Sequence, residues 1–286
     1  MNYLGAFYSG AYQDSSLANV VAYRKGLVSY LKDSAVRNFL HDRGYKITAF
    51  ETGWTWSELY DADHYLQRDN RPPIQRLGEG PNAFEVLFIR STALSFVTAL
   101  SSDIADLLLP DLDFPNKQRR DRVLFVLDSL SQIPKTDETK FVFAHIGSPH
   151  RPFVFGPNGE VLNWEPSYLR GYPDQINFLN KRVLEVIESI LELSTDPPII
   201  ILQADHGALM HVGQEGRMAI LNAYYFPDKN YSALYKSISP VNSFRVIFNQ
   251  FFGQDFRLLE DLSLYSDYLD PINYSPIIES KVECID

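Results

Sequence analysis

Four consecutive aliphatic residues, Ile199 to Leu202, stand between Pro197-Pro198 and the polar ending Gln203-Ala204-Asp205-His206-Gly207. An apolar run without alternation is the pattern of a strand covered on both faces, and such strands belong to parallel sheets flanked by helices. The chain is thereby narrowed to the α/β class. In open α/β sheets, ligands bind just beyond the carboxyl ends of strands, where loops converge on a rigid frame. Asp205 and His206 fall at such an end and are placed for chemistry.

The rest of the apolar periodicity agrees. Val36, Phe39 and Leu40 predict a helix opened by Ser34 and stopped at Gly44, with a strand over 46–50 behind it. Helical spacing returns over 84–109 and over 117–131, and the segment KFVFAHIG, 140–147, reads as a strand leading into the loop SPHRPFVFGPNGE. Ile176, Leu179, Val183, Ile187, Ile190 and Leu191 mark a helix over 174–193. A strand over 218–227 ends at Pro227, and a helix from Asn242 ends at Gly253. Residues 257–286 read as an irregular tail. Helix alternating with buried strand predicts one domain over 1–286, a three-layer α/β/α sandwich about a mostly parallel central sheet.

Composition excludes several alternatives. The formal charge of −10, with no basic cluster beyond Lys117, Arg119, Arg120 and Arg122, argues against a nucleic-acid surface and for a small or cation-dependent ligand. A single cysteine, Cys284, permits neither an internal disulfide nor a cysteine metal cage. The best candidate for a membrane span, 93–109, is interrupted by Asp103 and Asp106. The opening MNYLGAFYSG lacks the basic start and apolar core of a secretory signal. There is no Gly-x-Ser-x-Gly elbow, no phosphate loop and no Gly-x-Gly-x-x-Gly, which removes most support for serine-hydrolase and nucleotide readings.

The candidate site residues fall in two stretches. Asp205 and His206 offer a hard carboxylate beside an imidazole, a set suited to zinc or manganese if the backbone turns there, which Gly207 makes easy. The same residues read as well as an aspartate capping the next segment and a packed, hydrogen-bonded histidine. His145 and His150, five apart, suit donation to an anionic oxygen, with Arg151 as a further positive group. Alternatively His145 is a core histidine and Arg151 a solvated one. Trp54, Trp56 and Tyr60 can line a substrate wall and Asp61, Asp63 and His64 can supply ligands, although aromatic packing and a solvated turn are the stronger explanation of both.

Taken together, FVFAHIGSPHRPFVFGPNG, YPDQINFLNKRVLEVIESIL, IIILQADHG and ILNAYYFP resemble the sulfatase-like branch of the alkaline phosphatase superfamily. The likeness is nearer to the phosphoglycerol transferases that build lipoteichoic acid than to the arylsulfatases. It implies an alkaline-phosphatase-like sandwich and a metal-assisted displacement on a sulfate or phosphate ester, with one divalent ion (Mn, Zn, Ca or Mg) stabilising the charged oxygens. By motif, Asp205 and His206 match the metal pair and His150 the histidine facing the transferred group, with His145 in the same segment. Apart from that match, Arg151 as a positive group and Trp56 as an aromatic wall are the candidates for substrate contact. The substrate implied is a small anionic ester or a glycan- or lipid-linked one, and transferases of this kind carry membrane helices ahead of a domain that works outside the cytoplasm.

The family's first strand and its nucleophile segment normally precede the stretch that MNYLGAFYSGAY resembles. Ser9, Tyr12, Ser15 and Ser16 lie in no matching nucleophile motif, and His211 follows Asp205 too closely for a second-ion ligand. The expectation is therefore the C-terminal portion of a catalytic domain, in which an absent nucleophile would remove the covalent step and leave activity open, with an exposed sheet edge that invites self-association. The competing expectation is a noncatalytic anion- or glycan-binding module of the same fold, with Trp54, Trp56 and Trp164 stacking on sugar rings.

Overall fold

A computed structural model of the chain describes residues 29–54, 57–68, 86–88, 91, 113–162, 165–208, 213–267 and 270–276. Most of the helix expected over 84–109, together with Trp56, Trp164, His211, Cys284 and the hydroxyls at 9–16, lies outside these residues. The chain divides into two compact units, one built on Arg37–Ser194 and the other on Thr195–Asp286.

In the first unit, helix α1 (Ala35–His41) leads through Gly44, with φ at 82°, into β1 (Lys46–Phe50). Strand β1 is central. On one side it pairs in parallel with β2 (His64–Leu66) and on the other with β3 (Lys140–Phe143), in the order β2-β1-β3. Ile47, Thr48, Ala49 and Phe50 are all buried, as expected of a strand covered on both faces. Asp63 fixes the start of β1, accepting from the Ile47 amide at 2.9 Å while pairing with Lys46 Nζ at 3.0 Å.

Helix α2 (Phe114–Leu130) precedes β3, and α3 (Tyr168–Leu193) follows it. Val123 and Leu127 of α2 and Phe178, Leu179 and Val186 of α3 close on Val154 and Phe155 to form this unit's main apolar cluster. Gln175, fully buried, accepts from the Val154 and Phe155 amides at 2.8 and 3.3 Å, which ties α3 to that segment. Helix α3 begins at Tyr168, ahead of the expected 174, and carries Pro173 inside it.

In the second unit β4 (Ile200–Gln203) pairs with β5 (Asn222–Tyr225). The pairing is antiparallel, and β4 is only partly buried. The aliphatic run thus gives a strand, but not the parallel one expected; apolar continuity carries no information about chain direction. Helix α4 (Gly213–Met218) lies between the two strands in sequence, and α5 (Pro240–Phe252) follows them, ending on Gly253 at φ 62°. Ser243 of α5 meets both strands, at 3.1 Å from Gln203 Nε2 and 2.6 Å from the Tyr224 hydroxyl. Within 257–286, read from sequence as irregular, β6 (Leu264–Asp267) and β7 (Asp270–Pro276) form an antiparallel pair.

The chain is therefore a mixed α/β protein with a parallel three-stranded sheet and helices. Among the described residues, no helix is long and apolar enough to cross a membrane.

Candidate functional site

The carboxyl ends of β1 and β3 lie side by side, because Ala49 is in register with Phe143. The residues that follow each strand, Glu51, Thr52 and Trp54 on one side and His145, Ile146 and Gly147 on the other, line a small, partly open cleft of about 20 Å³. Arg119, Arg122, Val123 and Val126 of α2 complete it. These four recur at helical spacing, so one face of α2 presents its first turns as cations and its middle as apolar core.

A chain of polar contacts shapes the turn after β1. Glu58, buried, accepts from the amides of Thr52 (3.1 Å) and Gly53 (2.8 Å) and from the Tyr65 hydroxyl (2.7 Å). Burial, then Glu58, pushes the Tyr65 phenol above its ordinary value. Thr52 Oγ1 accepts from the Trp54 amide at 3.0 Å and donates to the Trp54 carbonyl at 3.1 Å. Ser57 Oγ lies 3.0 Å from Thr52 Oγ1 and 2.8 Å from His145 Nδ1. The loops after β1 and β3 are joined through this hydroxyl.

The two arginines are held differently. Arg122 Nε donates to Glu51 at 3.0 Å, and its guanidinium lies against Gly53, where a Cβ would come within 2.3 Å of Nη1. Arg119 Nη2 donates to the carbonyls of Gly147 and His150, the second at 2.8 Å, while its Nε is buried without a partner. Burial, and then the like charge of Arg122, pushes the Arg119 guanidinium down to about 10. It remains protonated at pH 7, so two positive charges share the cleft. Gly147 gives the Trp54 indole its place, since a Cβ there would stand 2.5 Å from Nε1.

His150 lies edge-on to Trp54, with ring centroids 5.5 Å apart, and its Nδ1 donates to the Arg151 carbonyl at 2.6 Å. A carbonyl only accepts, so neutral His150 carries its lone pair on Nε2. Arg151 is exposed and paired with Glu165 at 2.6 Å, which raises its guanidinium above the ordinary value. The acidic turn expected either as ligands or as a solvated corner is used in surface pairs: Asp61 with Arg37, Asp63 with Lys46, and His64 with Glu138.

In the second unit, Asp205 and His206 follow β4. Asp205 Oδ1 accepts from the His206 amide at 3.0 Å, so the aspartate does bond to the segment after it. His206 Nδ1 donates to the Gly207 carbonyl at 2.8 Å, which leaves the lone pair of the neutral ring on Nε2, 3.7 Å from Asp205 Oδ2. Gly207 does not make a left-handed turn. A Cβ there would meet the Gly216 and Ala219 carbonyls at 2.0 and 2.5 Å, and its amide donates to the Arg217 carbonyl, so glycine is required for close backbone approach. The pair thus brings one carboxylate oxygen and one imidazole nitrogen within 3.7 Å of each other. Among the described residues no group of three or more His, Cys, Asp or Glu side chains is placed to hold a metal.

Sequence reasoning passed over Arg119 and Arg122, reading them as part of a basic cluster. Their spacing with Val123 and Val126 on a helix leading into β3 was the available signal. No family model, curated protein or solved structure matches the chain.

Proposed function

We propose that the chain carries a metal-dependent hydrolase or transferase domain of the sulfatase-like kind, acting on sulfate or phosphate esters. Asp205 and His206 hold one divalent ion, and His150 and His145 contact the ester, with Arg151 and Trp56 as further substrate contacts. The observation that supports this reading is the pair after β4: an exposed carboxylate oxygen and an imidazole nitrogen 3.7 Å apart, the imidazole tautomer set by the Gly207 carbonyl. The bound ion would supply positive charge for the ester's oxygens.

Thermal unfolding with and without manganese or zinc tests the ion site. A metal that binds only the folded chain adds about 2.7 kcal/mol at a hundredfold excess over its dissociation constant. The melting temperature is expected to rise in the wild type and not in Asp205→Ala; equal shifts in both would sink the reading. Turnover of an aryl phosphate or aryl sulfate, lost in Asp205→Ala, then tests the chemistry.

The second reading, a noncatalytic anion- or glycan-binding module, is favoured by Thr52. Thr52 lines the cleft, but its hydroxyl is engaged in both directions by the Trp54 backbone. A hydroxyl so committed is a poor nucleophile. Metal binding without turnover of either ester would select this reading.

A further inference from the structure

We infer that the cleft at the carboxyl ends of β1 and β3 is a binding site for a tetrahedral oxyanion, phosphate or sulfate, with Arg119 and Arg122 as its charge-neutralising residues. That the anion is the charged end of an ester rests on the function proposed above.

Three observations carry the site. First, among the residues lining the cleft, two guanidinium groups face one carboxylate, Glu51, which is already paired with Arg122. An excess positive charge in a partly enclosed space is unfavourable alone and favourable with an anion, because Coulomb energies grow as water is excluded. Glu58, the other carboxylate of the turn, has three donors of its own.

Second, Arg119 Nε is a buried donor without a partner, while Nη2 is fixed on the Gly147 and His150 carbonyls. With both Nη2 hydrogens spent on carbonyls, the guanidinium is fixed in the cleft wall, and among the described residues no carboxylate is paired with it, so its charge is available to an anion.

Third, the cleft is built to seat these groups. Gly53, at φ 76°, leaves the room that the Arg122 guanidinium occupies, and Gly147 leaves the room that the Trp54 indole occupies. His145, whose Nδ1 is engaged with Ser57, adds an imidazole to the lining. The position is also the one where open α/β sheets bind ligands.

Isothermal titration of the metal-free chain with inorganic phosphate and, separately, with inorganic sulfate tests the site. Saturable binding of at least one is expected, weakened about tenfold or more by Arg119→Gln and by Arg122→Gln, the loss of one charge-assisted contact each. Lys181→Gln removes a positive charge from the exposed face of α3 and is expected to leave binding unchanged. Arg119 also holds two backbone carbonyls, so the thermal transition of each variant is recorded; the wild-type titration depends on neither.

No saturable binding of either anion, or equal weakening by Lys181→Gln, overturns the site. Anion binding without a metal-dependent rise in melting temperature keeps the site and overturns the ion-dependent function. A metal-dependent rise without anion binding does the reverse.

Discussion

Gly53 shows how a position with no side chain can govern one that has a large one. Its φ of 76° is in the region that L-residues avoid, and the space over its Cα is filled by Arg122. Gly53→Ala therefore meets both costs, of which the backbone term is about 1 kcal/mol. The Arg122 guanidinium is at the end of a flexible chain and can move aside, which disengages it from Glu51 and from the cleft. Urea unfolding is expected to show a loss of about 1 kcal/mol, accompanied by weaker anion binding. Unchanged anion affinity would mean that the Arg122 position is not needed. Gly207 was legible only in part: the sequence marks it as special, but the reason is the Gly216 and Ala219 carbonyls above it, which no local pattern announces.

Helix α5 is fastened to the segment after it by a buried amide and a carboxylate. Asn242, fully buried, reads the Leu259 backbone in both directions, at 2.8 and 2.9 Å, and donates to Asp261 at 3.0 Å. Asp261 also accepts from the Tyr235 hydroxyl and from the Ser239 amide and hydroxyl. Burial works to raise the Asp261 carboxyl, but the bonds from Ser239, Tyr235 and Asn242 outweigh it and hold the group below the ordinary aspartate value. A lowered native value means that the contribution is present above the unfolded value of about 3.9 and is lost as pH falls through the native one. Asp261→Asn should cost about 1–3 kcal/mol at pH 7, because neighbouring donors lose an acceptor. Between about pH 5 and pH 2 its urea midpoint should fall less steeply than that of the wild type. Parallel declines would show that another carboxylate governs acid sensitivity. Elements of this kind were readable where local chemistry defines them: β1 occupies 46–50 as expected, and α5 stops at Gly253. The start of α3 was misplaced because Pro173 reads as a boundary, whereas the helix accommodates it after its first turn. The direction of β4 and the meaning of Arg119 and Arg122 depend on which elements become neighbours, and periodicity within one segment cannot supply that.

The whole chain carries a formal charge of −10, yet its proposed anion cleft is lined by two arginines. An approaching anion is repelled by the body before it is attracted by the cleft. Electrostatic range shrinks from about 30 Å at 0.01 M salt to about 8 Å at 0.15 M, while contacts inside a partly enclosed site are screened much less. Stopped-flow tryptophan fluorescence, with Trp54 in the cleft wall, is expected to show anion association speeding up over that range of salt. A steep slowing would mean that the local field of the arginines already dominates at a distance. A divalent cation follows the opposite rule, since the acidic body draws it in most strongly when salt is low. If both proposed ligands bind, the cation is expected to load first in dilute buffer and the two to draw level as salt rises. The placement of two positive charges inside an acidic chain would then make ionic strength a clock for filling the proposed sites, separate from its effect on how tightly either ligand is held.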